Sequence, residues 1–135
     1  MPCVVFLCVA NSARSQMAEA LARESAPDGW QVYSAGSRPT RLNPLAATVL
    51  AEVNIDASHQ HSKGMDDIPL ANADWVITLC AEEECPVGVT QGQRLHWPLP
   101  DPADAPPDEA LAHFRQIRDA IDKRIEGFWG RVVGA

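Results

Sequence analysis

An apolar run, Val4-Val5-Phe6-Leu7, gives way to Cys8-Val9-Ala10-Asn11-Ser12-Ala13-Arg14 and then to a helix-forming segment, Ser15-Gln16-Met17-Ala18-Glu19-Ala20-Leu21. An unbroken apolar run of this length reads as a strand buried on both faces, the kind found in parallel sheets. A strand, a short loop and a helix in that order confine the chain to α/β folds, with the loop at the carboxyl end of its strand. There the backbone N–H groups of Val9, Ala10, Asn11, Ser12 and Ala13 are expected to converge with those of the first helical turn at Arg14 and Ser15. Arg14 adds a planar, bidentate cation suited to a tetrahedral oxyanion. The same positive end favours Cys8 as the thiolate, the nucleophilic form of the thiol. The pattern describes a sulfur aimed at a bound oxyanion.

The rest of the chain continues the alternation. Residues 31–35 read as a second strand, stopped by Gly36, and Asn43-Pro44 as an N-cap with proline at the first helical position, opening a helix to residue 53. Residues 74–79 form a third, strongly apolar strand and residues 94–97 a shorter fourth. The proline-rich stretch 98–107 is expected to be loop. A last helix spans residues 108–127, with Leu111, Phe114, Ile117, Ile121, Ile125 and Phe128 recurring at the spacing of a sheet-covering stripe. The order β-α-β-α-β-β-α implies one α/β domain over residues 1–135, a small four-stranded parallel sheet with helices on both faces. Ligands of such sheets bind beyond the carboxyl ends of the strands, which is where Cys8, Cys80 and Asp101 all fall.

Composition limits what the oxyanion site can serve. A formal net charge of −7 argues against nucleic acid, and no apolar stretch approaches the ~20 residues of a membrane span. The chain opens without a basic segment followed by a hydrophobic one, so a cytoplasmic location is expected. In that compartment four cysteines are better read as catalytic or metal-binding than as structural bridges. Their spacing from the four histidines matches no usual zinc site, so no metal and no cofactor is expected. Cys3 reads as a small buried hydrophobe, and Trp30, Trp75, Trp97 and Trp129 as core.

The block Cys8-x-x-Asn11-Ser12-x-Arg14-Ser15-Gln16-Met17-Ala18-Glu19 resembles the phosphate loop of the low-molecular-weight protein tyrosine phosphatase and arsenate reductase superfamily. Tyr33-Ser34-Ala35-Gly36, Asn43-Pro44, Val76-Ile77-Thr78-Leu79-Cys80, Cys85-Pro86, His96-Trp97 and Asp101-Pro102-Ala103 are together similar to its thioredoxin-coupled arsenate reductases. Phosphate and arsenate share shape and charge, so the loop alone does not choose between them. Reduction of arsenate, however, needs two electrons, which thiols supply by forming a disulfide. The resemblance implies that Cys8 attacks arsenate, that Cys80 attacks Cys8 and expels arsenite, and that Cys85 then takes Cys80 into a disulfide that thioredoxin reduces. It also implies that Asn11 braces the loop, that Ser15 hydrogen-bonds Cys8 and that Asp101 moves a proton. A monomer acting on arsenate is expected.

The chain departs from that pattern in two places. Only four residues separate Cys80 from Cys85, fewer than in relatives of this type, and three of them are glutamates that oppose ionisation of the neighbouring thiols. Some relatives also hold potassium through residues matching Asn11, Glu19 and Ser34 and an aspartate. Lys63 falls at that aspartate's position, so its ammonium is expected to replace the cation and pair with Glu19. Two other readings stay open: a tyrosine phosphatase on the same fold, against which Ala103-Asp104-Ala105-Pro106-Pro107 supplies no aromatic wall for a substrate ring, and an oxyanion- or redox-sensing protein that turns nothing over.

Overall fold

The computed structural model describes residues 2–81 and 90–133. Strands β1 (Cys3–Cys8), β2 (Gln31–Gly36), β3 (Trp75–Cys80) and β4 (Gln93–Leu99) form one sheet in the order β2-β1-β3-β4, every neighbouring pair parallel. Helices α1 (Arg14–Ser25), α2 (Pro44–Ala51) and α3 (Ala110–Val133) complete the framework. All six residues of β1 are buried, as its apolar run requires of a central strand.

Alternation along the strands sorts the core into two clusters. Val4 and Phe6 of β1, Ile77 and Leu79 of β3 and Trp97 of β4 face the helices, packing on Met17 and Leu21 of α1, Val49 and Leu50 of α2 and the α3 stripe from Phe114 to Phe128. Within that stripe Ile121 is fully buried, which stabilises the fold by about 1.5–3 kcal/mol relative to exposure. Val5, Leu7, Ala35 and Val76 face the other way, where 3-10 turns at Met65–Asp67 and Leu70–Asn72 bring Met65, Ile68 and Leu70 against them. The scattered tryptophans meet in space: Trp30, Trp75, Trp97 and Trp129 each place a ring centroid within 6.2 Å of Phe128.

Several boundaries differ from the sequence reading. β4 runs on through Pro98 to Leu99, because it lies at the sheet edge, where an outward-facing position does not need the N–H that proline lacks. The stretch 98–107 also contains a 3-10 turn, Pro102–Asp104. α1 continues to Ser25 and α3 to Val133, while α2 stops at Ala51. Asn43 caps α2 as expected, its side chain accepting from Leu45 N at 2.9 Å with Pro44 at the first turn.

The chain passes from β1 to β2 on one side and reaches β3 on the other, so the point where strand order reverses lies between β1 and β3. Leu7 pairs with Thr78, which puts Cys8 level with Leu79 and Cys80 one residue further along the neighbouring strand.

Candidate active site

The loop from Cys8 to Arg14 is held from behind by its own carbonyls. Arg38 N donates to Val9 O at 2.9 Å, Thr40 N to Ala10 O at 3.1 Å and Asn43 N to Ser12 O at 3.0 Å. Ser62 Oγ adds a bond to Ala10 O at 2.9 Å, and Gln16 Nε2 one to Asn11 O at 3.1 Å. In a trans peptide the N–H points opposite to the C=O. Turning the carbonyls of residues 9–12 outward therefore aims the N–H groups of Ala10, Asn11, Ser12 and Ala13 toward the other side. α1 begins there with no side-chain cap at Ala13, which leaves its first N–H groups to an incoming anion.

Two residues make this tight turn feasible. Asn11 takes φ +48°, the left-handed region that asparagine tolerates better than most residues. Gly36, level with Cys8 on β2, lies so close that a Cβ on it would sit 2.4 Å from Val9 O and 2.8 Å from Asn11 N. Glycine at this position permits loop and strand to touch.

The front of the loop opens onto a cavity of about 140 Å³ lined by Cys8, Ser12, Arg14, Thr40, Asp101 and Ala103, among others. Cys8 is a free, buried thiol whose Sγ lies 2.8 Å from Ser15 Oγ. Arg14, 3% exposed, donates to Leu99 O at 2.9 Å and places its other terminal nitrogen 3.7 Å from Asp101 Oδ2. Asp101 in turn caps the Pro102–Asp104 turn, its Oδ1 accepting from Ala103 N at 3.0 Å. The cavity thus brings a thiol, a guanidinium and a carboxyl group together around a space of oxyanion size. Among the described residues, no aromatic side chain lines it.

Behind the loop lies a polar cluster. Asn11 Nδ2 donates to Ser15 Oγ at 2.8 Å and to Ser34 Oγ at 3.0 Å, and Ser34 Oγ donates to Glu19 Oε1 at 2.6 Å. The Lys63 ammonium reaches Glu19 Oε1 at 3.0 Å, Ser34 Oγ at 3.3 Å and His61 O at 3.3 Å. Asn11, Glu19, Ser34 and Lys63 are therefore one constellation, with Arg23 3.3 Å from the second Glu19 oxygen. Every buried side-chain nitrogen and oxygen among the described residues has a hydrogen-bond partner.

Cys80 is fully buried and disulfide-bonded. Cys85, with Glu82, Glu83 and Glu84, lies outside the described residues. Cys3 sits in the second core cluster, where burial and the charge of Asp74 push its thiol up to about 11. The sequence presents Gln16 only as a letter of the loop motif, with no role, and does not single out Gln60, Ser62 or Thr40, although all four contact the loop or the residues that hold it. Apart from the Gln16–Asn11 bonds, their partners lie far along the chain, so no local pattern records them.

The family described as low molecular weight phosphotyrosine protein phosphatase matches residues 3–133. An arsenate reductase of Bacillus subtilis (strain 168) is 44% identical over 129 residues, covering 93% of each chain. A solved arsenate reductase in the oxidized state superposes with a TM-score of 0.83 at 33% identity, over 97% of this chain and 98% of that one. The thioredoxin-dependent arsenate reductase of Corynebacterium glutamicum gives a TM-score of 0.77 at 31% identity, over 97% of this chain and 61% of that one.

Proposed function

The chain belongs to the low molecular weight phosphotyrosine protein phosphatase family, and from that premise we propose that it is an arsenate reductase coupled to thioredoxin. The observation that carries this reading is the pairing of a free Cys8 in an outward-braced oxyanion cradle with a disulfide-bonded Cys80 at the end of the next strand. A phosphatase needs the first sulfur alone. A reductase needs both.

In this mechanism the cradle N–H groups and Arg14 hold arsenate against Cys8, and Ser15 stabilises the attacking sulfur. Sulfur displaces an arsenate oxygen as water, with Asp101 supplying the proton. The Cys80 thiolate then attacks the Cys8 sulfur. A sulfur–sulfur bond forms, the sulfur–arsenic bond breaks, and its electron pair stays on arsenic, which leaves as arsenite. Cys85 attacks Cys80, forming the Cys80–Cys85 disulfide and freeing Cys8 as a thiolate. Thioredoxin's two thiols reduce that disulfide and become oxidised themselves. Lys63 takes the place of a bound cation beside Asn11, Glu19 and Ser34, so the loop needs no added potassium.

A cytoplasmic location suits thiols that must be re-reduced after each turnover; among the described residues no helix is long and apolar enough to cross a membrane. The cradle and Asp101 also equip the protein for slow hydrolysis of aryl phosphates as a side activity. The test is reductant consumption on adding arsenate with thioredoxin, its reductase and NADPH present. Arsenate-dependent consumption that is lost in Cys8→Ser, Cys80→Ser and Cys85→Ser supports the relay. Full activity in Cys85→Ser removes the third step, and phosphate release without reductant use favours a phosphatase.

A further inference from the structure

The carboxamide of Asn11 can in principle sit either way round, and the two choices have opposite effects on Cys8. With Nδ2 toward Ser15, the serine oxygen accepts, and its own proton is left to point at the Cys8 sulfur. With Oδ1 toward Ser15, the serine donates to Asn11 and the sulfur loses its donor. We propose that Gln16 is a positioning residue that holds Asn11 in the first orientation and so directs a hydrogen bond onto the Cys8 nucleophile. This rests on Cys8 being the nucleophile of the proposed reaction.

Three observations support the assignment. Gln16 is fully buried, so no water substitutes for its partners. Its Nε2 donates to Asn11 Oδ1 at 2.9 Å, to Asn11 O at 3.1 Å and to His61 O at 2.8 Å, the last two being carbonyls that only accept. Its Oε1 accepts from Gln60 Nε2 at 2.7 Å, and Gln60 also donates to Gln16 O at 3.1 Å. Every partner of Gln16 thus demands the same polarity.

Gln16 also acts on Asn11 by a second route. Lys63 N donates to Asn11 Oδ1 at 2.9 Å, and a backbone N–H has no alternative polarity. By gripping His61 O, Gln16 fixes the segment that presents that N–H. The hydrogen-bond sequence therefore runs from Gln60 through Gln16, Asn11 and Ser15 to Cys8, with each donor facing the sulfur end.

The experiment measures the rate at which iodoacetamide alkylates Cys8, located by peptide mass mapping, in the wild type, Gln16→Met and Gln16→Leu. Neither variant can donate to Asn11. Both are expected to alkylate about tenfold more slowly at neutral pH, the size of effect that losing one charge-assisted hydrogen bond produces. Wild-type and variant rates should converge as the pH rises, because base then performs the deprotonation that the network favours at neutral pH. Leu21→Ala, which loosens the same helix without touching the loop, should leave the rate unchanged. Should both Gln16 variants fail to fold, Gln60→Leu, at a half-buried position, is expected to show a smaller loss of about threefold with the same pH convergence.

A folded variant that alkylates at the wild-type rate overturns the assignment, as does an equal loss in Leu21→Ala or a deficit that persists unchanged at high pH. Alkylation needs no arsenate, so it reads this assignment separately from the reductase activity, which is read by arsenate-dependent reductant consumption.

Discussion

The Lys63 ammonium and the Glu19 carboxylate meet at 3.0 Å behind the oxyanion loop, with side chains 13% and 3% exposed. The pair lies two hydrogen bonds from Asn11, through Ser34, so the buried charges are also part of the scaffold of the loop.

Removing one partner leaves the other charge without its counterpart. Lys63→Met is expected to lower unfolding free energy by about 3 kcal/mol, the low end for a broken buried pair because Arg23 still faces Glu19. The double variant Lys63→Met/Glu19→Gln should recover much of that loss. Urea unfolding of the two variants measures both. In the wild type, replacing potassium by a large organic cation at constant ionic strength should leave turnover unchanged.

Gly36→Ala tests the close approach of β2 to the loop. The new Cβ would collide with Val9 O, and the Gly36 N–H and Val9 O are each hydrogen-bonded in place, to Lys63 O and Arg38 N. The expected cost is about 1–3 kcal/mol of stability. A larger consequence is expected for function: shifting the Val9 peptide misdirects the cradle, so inhibition by phosphate should weaken. Thermal melts and inhibition assays on the same preparation separate the two effects.

Arg14→Lys retains the charge but removes the planar fork that now spans Leu99 O and the side of Asp101. Substrate affinity and turnover should both fall, by about a hundredfold in kcat/KM. Steady-state kinetics of the arsenate-dependent reaction provide the readout. A variant with near-normal kinetics would mean that the guanidinium does not contact the oxyanion.

Stability should depend on Cys3 at alkaline pH. Its thiol is raised from 9.0 to about 11 in the folded protein, by burial first and then by Asp74. The folded state favours the neutral thiol, so this contribution is complete below about 9 and is lost as pH rises toward about 11. Urea midpoints across that window should fall more steeply for the wild type than for Cys3→Ala.

The β1-loop-α1 unit was legible in the sequence because one short block carries the strand, the turn chemistry and the helix start. The α3 stripe was legible for a similar reason, its apolar period running through Phe114, Ile117, Ile121, Ile125 and Phe128, all buried in the fold. Pro98 misled, since proline excludes a central strand but not the outer side of an edge strand such as β4. The 3-10 turns at Met65–Asp67 and Leu70–Asn72 left no periodic trace, being too short to show one.

Polar residues were the hardest to read. Gln16 lies inside the motif between Ser15 and Met17, where a helical glutamine ordinarily faces water, yet it is wholly buried. What buries it is the connector carrying Gln60 and His61, more than forty positions away. Local pattern registers hydrophobic faces well because burial follows helix and strand period. It registers hydrogen-bond partners poorly because they depend on which loops the fold happens to stack.

The outward grip on the loop carbonyls has a kinetic corollary. A ring of amides already clamped from the rear does not have to close around its guest, so little ordering accompanies arrival. The same stiffness governs departure. A product that leaves with less negative charge than the substrate brought meets amides unable to swing after it, and the loop itself lets go without rearranging.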